Sequence, residues 1–283
     1  MVFDIVADSR DTRLDYHLVP MKRLLLPISL VLFASPAIAQ SITPADKPAP
    51  AVAPAKPAAG GMPTIDFDLT TPEAKKGQEE FNKLSAAKQE EFFKLMTDGE
   101  KFMGERRIPE ALQKFNDAES IWPKHPSLMN IKGSALVNLR DFERAGKYFD
   151  ECARLYPGFW QAHFNAAEMK FVQKKWEAAE KEFRALLDMD KSIEGPTRKL
   201  VEYKIILSMI KLKKTDEAKK MINKYDIFDD SPLFYYANAA LNFEADNRKA
   251  AEEWVTNARA VYNAQVNAIF EDSLSELGWL FVF

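Results

Sequence analysis

The sequence predicts an all-α fold, a right-handed α-solenoid of about five helix–turn–helix hairpins closed by a capping helix. Three observations predict this fold class. Beyond residue 72 the chain is dominated by alanine, leucine, lysine and glutamate, and the whole sequence holds only 10 glycines, a composition typical of helices. Alanines and aromatic residues recur at a spacing of 34 residues. Prolines close two of these periods, where a second helix has to end.

The charge balance and the few cysteines and histidines exclude several classes of protein. The net charge is −3, from 39 basic and 42 acidic side chains, so the chain lacks the basic face that nucleic acid or an anionic lipid surface would require. The single cysteine, Cys152, cannot form an intramolecular disulfide bond. The histidines His17, His125 and His163 are too scattered for a metal site. We therefore expect no nucleic-acid partner, no metal and no cofactor.

The N-terminal region has the pattern of an export signal. Residues 21–23 are Met-Lys-Arg, residues 24–34 form an apolar run, and Ala37-Ile38-Ala39 follows. A basic start, a short apolar stretch and a small-x-small site are typical of a cleavable bacterial secretory signal peptide. A membrane-spanning helix needs about 20 residues, and this run is about half as long. We interpret residues 1–39 as a signal peptide whose true start is Met21, which predicts a periplasmic or secreted protein with no integral membrane span after cleavage.

The composition of residues 40–70 predicts a disordered tether. Proline and alanine dominate this stretch, and the prolines prevent a regular helix and favour an extended chain. A docking segment for a proline-reading domain is the alternative interpretation.

The repeat is the strongest signal in the sequence. Ala111, Ala145 and Ala179 are separated by steps of 34 residues. Each alanine is followed four residues later by a phenylalanine and preceded twelve residues earlier by a small residue. These positions are Phe115, Phe149 and Phe183, and Gly99, Gly133 and Ala167. The small residue and the alanine let two helices approach closely, and the aromatic side chain, one turn further along the same face, fills the volume beside them.

These offsets resemble the tetratricopeptide repeat, a helix–turn–helix unit of 34 residues. The resemblance covers residues 92–264 and implies a bacterial exported member of this family. The predicted units are 92–125, 126–159, 160–193, 199–230 and 231–264. The last two diverge, and we expect Gly195-Pro196 to break the helix before the fourth unit, whose first helix then begins near Lys199.

Two flanking segments complete the prediction. Residues 71–91 predict a leading helix capped by Thr71, and Ser85 is placed to cap the helix that runs into the first unit. Residues 265–283 predict a capping helix, because an open solenoid must cover its last apolar face, followed by an apolar tail from Trp279. The pattern favours packing of this tail onto the last hairpin, with partner binding as the alternative.

The resemblance implies that one stripe of each first helix lines a concave groove that binds a peptide or a helix. The candidate groove residues are Asn130, Ser134, Asn138, Phe164, Glu168, Tyr203, Tyr235 and Asn242. Phe171, Lys211 and Phe243 lie on the same stripe. It supplies too few lysines for a carboxylate clamp, so we expect a ligand with hydrophobic anchors. Packing of these aromatic residues between neighbouring helices is the competing interpretation.

No catalytic pattern accompanies the repeat. The sequence has no glycine-rich phosphate loop, no His-Glu-x-x-His helix and no Gly-x-Ser-x-Gly elbow. We therefore expect a non-enzymatic scaffold or adaptor of the cell envelope that binds another protein. Two alternatives stay open, a self-assembling structural protein and, with less support, an accessory subunit of a cell-wall or secretion enzyme complex.

Overall fold

The computed structural model describes residues 70–189 and 193–280. The predicted signal peptide, residues 40–69 of the predicted tether and residues 281–283 of the predicted tail lie outside these ranges. The described residues form α-helices and contain no strand, as the predicted all-α fold class requires.

Twelve helices follow one another within the described residues. They are α1 (Pro72–Asn82), α2 (Ala86–Gly104), α3 (Ile108–Ile121), α4 (Pro126–Asn138), α5 (Phe142–Leu155), α6 (Trp160–Val172), α7 (Trp176–Met189), α8 (Gly195–Lys211), α9 (Thr215–Ile222), α10 (Leu233–Glu244), α11 (Arg248–Val261) and α12 (Ala264–Glu276). Thr71 and Ser85 accept the N-terminal hydrogen bonds of α1 and α2, as their types predict.

The helices from α2 to α11 form five hairpins, each made of a first and a second helix. The pairs are α2–α3, α4–α5, α6–α7, α8–α9 and α10–α11, and successive hairpins pack on each other through α3–α4, α5–α6, α7–α8 and α8–α10. Each hairpin thus buries its apolar stripes against its neighbours in the chain, which defines a solenoid. The predicted α-solenoid is confirmed.

Close approach within a hairpin depends on the small residues of the repeat. A Cβ atom added to Gly133 would lie 2.5 Å from a ring carbon of Phe149. Gly99 meets the ring of Phe115 in the same way. Both phenylalanines are fully buried, so the glycine and the aromatic ring together fix the spacing between the two helices.

All five hairpin turns share one backbone geometry that the residue types do not predict. One residue that is not glycine adopts a left-handed conformation in each turn. These residues are Arg106, Arg140, Lys174, Lys213 and Asp246, with φ between 58° and 63°. The next residue donates its N–H to a carbonyl of the preceding helix, as Lys175 does to Lys170 at 2.9 Å. This is the Schellman arrangement, which satisfies carbonyls that a helix end leaves unpaired.

The fourth hairpin departs from the predicted pattern at its start. The first helix was expected near Lys199, after a break at Gly195-Pro196, but α8 begins at Gly195 itself. Proline is tolerated in the first turn of a helix, because the N–H that it lacks has no intrahelical partner there. The expected start was therefore too late.

Candidate partner-binding face

The candidate groove residues lie on α4, α6, α8 and α10. We call the surface formed by the first helices of the five hairpins, α2, α4, α6, α8 and α10, the first-helix face. Most candidates are buried in the chain itself. The buried set is Asn130, Ser134, Phe164, Glu168, Tyr203 and Tyr235, whereas Asn138 and Asn242 are partly exposed. Their predicted role in ligand binding stays a prediction, and the structure shows what each one contacts.

In the second hairpin the polar candidates bond to their own helix and to Asn165 of α6. The amide of Asn165 donates to Oδ1 of Asn130 at 2.8 Å. The hydroxyl of Ser134 donates to the carbonyl of Asn130 at 3.0 Å, and the amide of Asn138 donates to the carbonyl of Ser134 at 2.9 Å. These bonds supply the partners that buried polar groups require. Asn138 keeps part of its side chain at the surface.

The aromatic candidates pack as core residues. The ring of Phe164 lies edge-on to Phe183 at 5.7 Å, within the same hairpin. Tyr235 joins an aromatic cluster with Phe234, Trp254 and Tyr262, each about 6 Å away between ring centroids. Both side chains therefore contribute packing between helices.

Tyr203 meets a segment of the same chain that covers the first-helix face of the fourth and fifth hairpins. This segment is α12. The ring of Phe270 lies 5.0 Å from the ring of Tyr203, and the hydroxyl of Tyr203 donates to the carbonyl of Phe270 at 3.3 Å. Phe270 also stacks on Tyr236 of α10 at 5.8 Å. At Tyr203, α12 therefore occupies the predicted groove.

A buried ionic cluster links α12 to α6 and α8. Nζ of Lys204 lies 2.8 Å from Oε2 of Glu168 and 3.5 Å from Oε2 of Glu276. Although burial opposes it, the charges of these two carboxylates raise the pKa of Lys204, which stays protonated. Burial raises the pKa of Glu168. Burial and the nearby charge of Glu276 raise the pKa of Asp272 to about 7.

A second polar cluster joins α12 to α10 and α11. Arg259 donates to both carboxylate oxygens of Glu271, at 2.7 and 3.0 Å. The hydroxyl of Tyr236 lies 2.7 Å from Oε1 of Glu271 and 2.9 Å from Oδ1 of Asn267. Although burial opposes it, the hydrogen bonds from Arg259 and Tyr236 hold the pKa of Glu271 below its usual value.

The segment after α12 packs back onto the solenoid. The Trp279 ring stacks on Phe243 at 6.0 Å between centroids, and Nζ of Lys211 lies 5.0 Å from the Trp279 centroid. Phe243 and Lys211 belong to the predicted groove stripe. Packing of the tail, which the sequence favoured over partner binding, is therefore what its described part shows.

The described residues offer little chemistry for catalysis. Cys152 is fully buried, its thiol donates to the carbonyl of Pro126 at 3.5 Å, and burial raises its pKa well above the usual range. No group of histidine, cysteine, aspartate and glutamate side chains in the described part could hold a metal ion. Among the helices that the structure describes, none is long and apolar enough to cross a bilayer.

The sequence did not indicate that α12 would occupy this face. It also did not single out Lys204, Tyr236 and Arg259, the side chains that bind α12 there. The spacing of the buried residues of α12 is a signal that was available, because it matches the face of an amphipathic helix. The sequence does not show which surface receives that face.

The hairpins and their first-helix face define the class of this protein, an all-α solenoid of the tetratricopeptide type. No family model matches the sequence, and no curated protein matches it. Among solved structures, residues 41 to the end of MamA from Desulfovibrio magneticus RS-1 share 18% sequence identity at a TM-score of 0.50, with coverage of 60% of this chain and 94% of that chain.

Two further solved structures are similar. A double mutant named MamA RS-1 ArsTM shares 18% identity at a TM-score of 0.49, covering 60% of this chain and 93% of that chain. A tetratricopeptide repeat protein from Parabacteroides merdae shares 15% identity at a TM-score of 0.47, covering 71% of this chain and 79% of that chain. The five helix hairpins, together with the likeness to MamA at a TM-score of 0.50, confirm the resemblance to the tetratricopeptide repeat at the level of the fold.

Proposed function

We propose that this protein is a non-enzymatic scaffold of the bacterial cell envelope that binds a peptide or helix of another protein on its first-helix face. The observation that supports the proposal is the packing of α12 on α8 and α10, because a helix of the same chain already contacts the first-helix face there through aromatic and polar groups. Solenoids of stacked hairpins use their extended faces to bind other polypeptides. A scaffold also agrees with the buried, protonated thiol of Cys152.

The envelope location rests on the sequence pattern at residues 21–39, which favours export. The ring of Trp279 contacts Phe243 and Lys211 of the same chain. This internal contact favours a scaffold over self-assembly through the same segment.

A matched pair of variants tests the partner-binding face in cells that produce the protein. Asn138→Arg places a long cation on the partly exposed edge of the first-helix face, while Gln113→Arg places the same charge on an exposed position of the second helix α3. We expect crosslinking in intact cells to recover an envelope protein with the wild-type chain and with Gln113→Arg. Recovery should fall on the order of tenfold with Asn138→Arg, because a buried contact surface tolerates an uncompensated charge poorly.

Recovery of no partner by any of the three chains would contradict the scaffold function. Equal loss with Gln113→Arg and Asn138→Arg would contradict binding at this face. Fractionation of the same cells measures where the protein is located. A chain found only in the cytoplasm would contradict the proposed location in the cell envelope.

A further inference from the structure

One face of α12 has the residue spacing of a helical ligand. Asn267, Phe270, Glu271 and Leu274 are all buried, with exposed fractions of 3%, 4%, 6% and 0%. Their spacing of i, i+3, i+4 and i+7 is that of the anchor residues with which an amphipathic helix binds a hydrophobic groove. The helix therefore presents an aromatic residue, an adjacent carboxylate and a leucine to the surface that receives it.

The receiving surface supplies specific partners for three of these anchors, Asn267, Phe270 and Glu271. Tyr203 and Tyr236 enclose the Phe270 ring, and the Tyr236 hydroxyl reaches both Asn267 and Glu271. Arg259 binds Glu271 through two hydrogen bonds, the geometry in which an arginine recognises a carboxylate most specifically. The fourth and fifth hairpins thus recognise an acidic, aromatic helix by specific contacts.

The contact is more polar than a cap requires. A cap has only to cover apolar surface, and Phe270 and Leu274 already do so. Glu168 and Glu276 share Lys204, and one carboxylate oxygen of each, Oε1, is buried without a hydrogen-bond partner among the residues that the structure describes. Ser273 Oγ is also buried without a hydrogen-bond partner among these residues. Buried polar groups without partners lower the stability of a contact, so α12 is held specifically but not as tightly as an apolar cap would be.

We propose that α12 is a built-in, displaceable occupant of the partner-binding face, and that the partner segment recognised by the fourth and fifth hairpins is an amphipathic helix carrying an aromatic residue, an adjacent acidic residue and a leucine one turn later. This inference rests on the proposed function. A partner helix competes with α12 for the contacts of Tyr203, Tyr236 and Arg259. It binds weakly while α12 is seated, because the protein is competent only when α12 has opened.

The ionic cluster makes this competition depend on pH. The charged and titratable groups that face it are Glu168 on α6, Tyr203 and Lys204 on α8, Tyr236 on α10, Arg259 on α11, and Glu271, Asp272 and Glu276 on α12. The seated state raises the pKa of Glu168 and Asp272, so it binds protons more tightly than the open state. Its extra stability is present below the ordinary pKa of these carboxyls and is lost as the pH rises through about 7. α12 therefore opens more readily at pH 8 than at pH 6.

A labelled synthetic peptide of residues 263–280 tests the proposal on the full chain. We expect it to bind the wild-type chain weakly in fluorescence anisotropy, because the tethered α12 competes at a high effective concentration. The full chain with Phe270→Ala in its own α12 should bind the wild-type peptide at least tenfold more tightly. A peptide with Phe270→Ala should bind neither chain.

Hydrogen exchange on the wild-type chain gives a second readout that needs no variant. We expect the amides of α12 to exchange through a local opening that leaves α10 protected, and this opening to be at least tenfold more populated at pH 8 than at pH 6 after correction for the intrinsic rate.

Three outcomes would overturn the proposal. They are failure of the peptide to bind a folded Phe270→Ala chain, exchange of α12 only together with α10, and a chain that sediments as a dimer joined through α12. The last would assign the surface to a second copy. The scaffold function is judged separately, since partner recovery with Asn138→Arg does not depend on the peptide.

Discussion

Gly133 and Phe149 set the distance between the two helices of the second hairpin. A Cβ atom at Gly133 would lie 2.5 Å from the buried Phe149 ring, so Gly133→Ala forces the ring or the helices to shift. Overpacking of this kind costs about 1–3 kcal/mol, and alanine returns up to about 1 kcal/mol through its higher helix propensity. We expect a net loss of about 1–2 kcal/mol in the free energy of unfolding measured with urea.

Gly104→Ala is the matched control for that substitution. Gly104 ends α2, and an added Cβ there would meet nothing within 4 Å. The control should be neutral or stabilise the protein by less than about 1 kcal/mol. Equal effects of the two variants would show that Phe149 moves aside freely, contrary to the role of Gly133 as the spacer.

Single side chains illustrate both the success and the limit of prediction from this sequence. The pairing of Gly133 with Phe149 could be predicted because a small residue and a phenylalanine repeat in three units with the same offset. The burial of Tyr203 under Phe270 could not, because the two residues are separated by 67 positions and no periodic pattern relates them. The burial of His125 between α3 and α4 could not be predicted either, and there it is 7% exposed and lies against Trp122 and Phe92.

At the scale of the element, the hairpin turns store a small strain that can be removed. Lys174 adopts φ of 61° in the turn between α6 and α7, a conformation that is unfavourable by about 1 kcal/mol or more for a side chain with a Cβ. Lys174→Gly removes this strain, partly offset by the greater freedom of glycine in the unfolded chain. We expect the free energy of unfolding to rise by about 0.5–1 kcal/mol.

Lys181→Gly serves as the comparison. Lys181 is exposed within α7, so its replacement by glycine is the same chemical change made inside a regular helix. Glycine in a helix interior is unfavourable by about 1 kcal/mol. Opposite signs for the two variants in thermal or urea unfolding would support the strained turn. A loss of stability with Lys174→Gly would contradict it.

The helices differ in how far local sequence determines them. The three regular hairpins were predictable since alanine, phenylalanine and small residues keep one register. The start of α8 was not, because Pro196 is compatible with a helix break and with a first helical turn. The left-handed turn positions are occupied by arginine, lysine or aspartate in place of the usual glycine, so the residue types do not indicate the left-handed conformation.

The described part of the molecule combines a chain of neighbouring contacts with longer-range contacts at both of its ends. Hairpins pack on their neighbours, and this arrangement lets distant parts of a solenoid respond independently. At one end, Glu73 of α1 pairs with Arg154 of α5, past the first hairpin. At the other end, α12 reaches back to α8 and, through Lys204, to Glu168 of α6. Such a contact bypasses the repeat and is therefore invisible to a search for periodicity.

The two ends of the solenoid are expected to respond to acid in opposite directions. Burial lowers the pKa of His125 to about 3, so its neutral form is favoured in the fold. The stability that it contributes is present above its ordinary pKa near 6.5 and is lost as the pH falls below that value, by about 2 kcal/mol between pH 7 and pH 5. The carboxyls of Glu168 and Asp272 have raised pKa values, so the seating of α12 gains stability over the same fall in pH.

Residue-resolved hydrogen exchange at pH 7 and pH 5, corrected for the intrinsic rate, measures both responses in one sample. Protection should fall in α3 and α4, which flank His125, and should rise in α12. His125→Asn is the control, because asparagine keeps a side-chain acceptor for the N–H of Leu128 at the start of α4 but does not titrate in this range. It should abolish the change in α3 and α4 and leave the change in α12 intact. A uniform change along the chain in both proteins would mean that the solenoid opens as one cooperative unit, in which case α12 could not be displaced on its own.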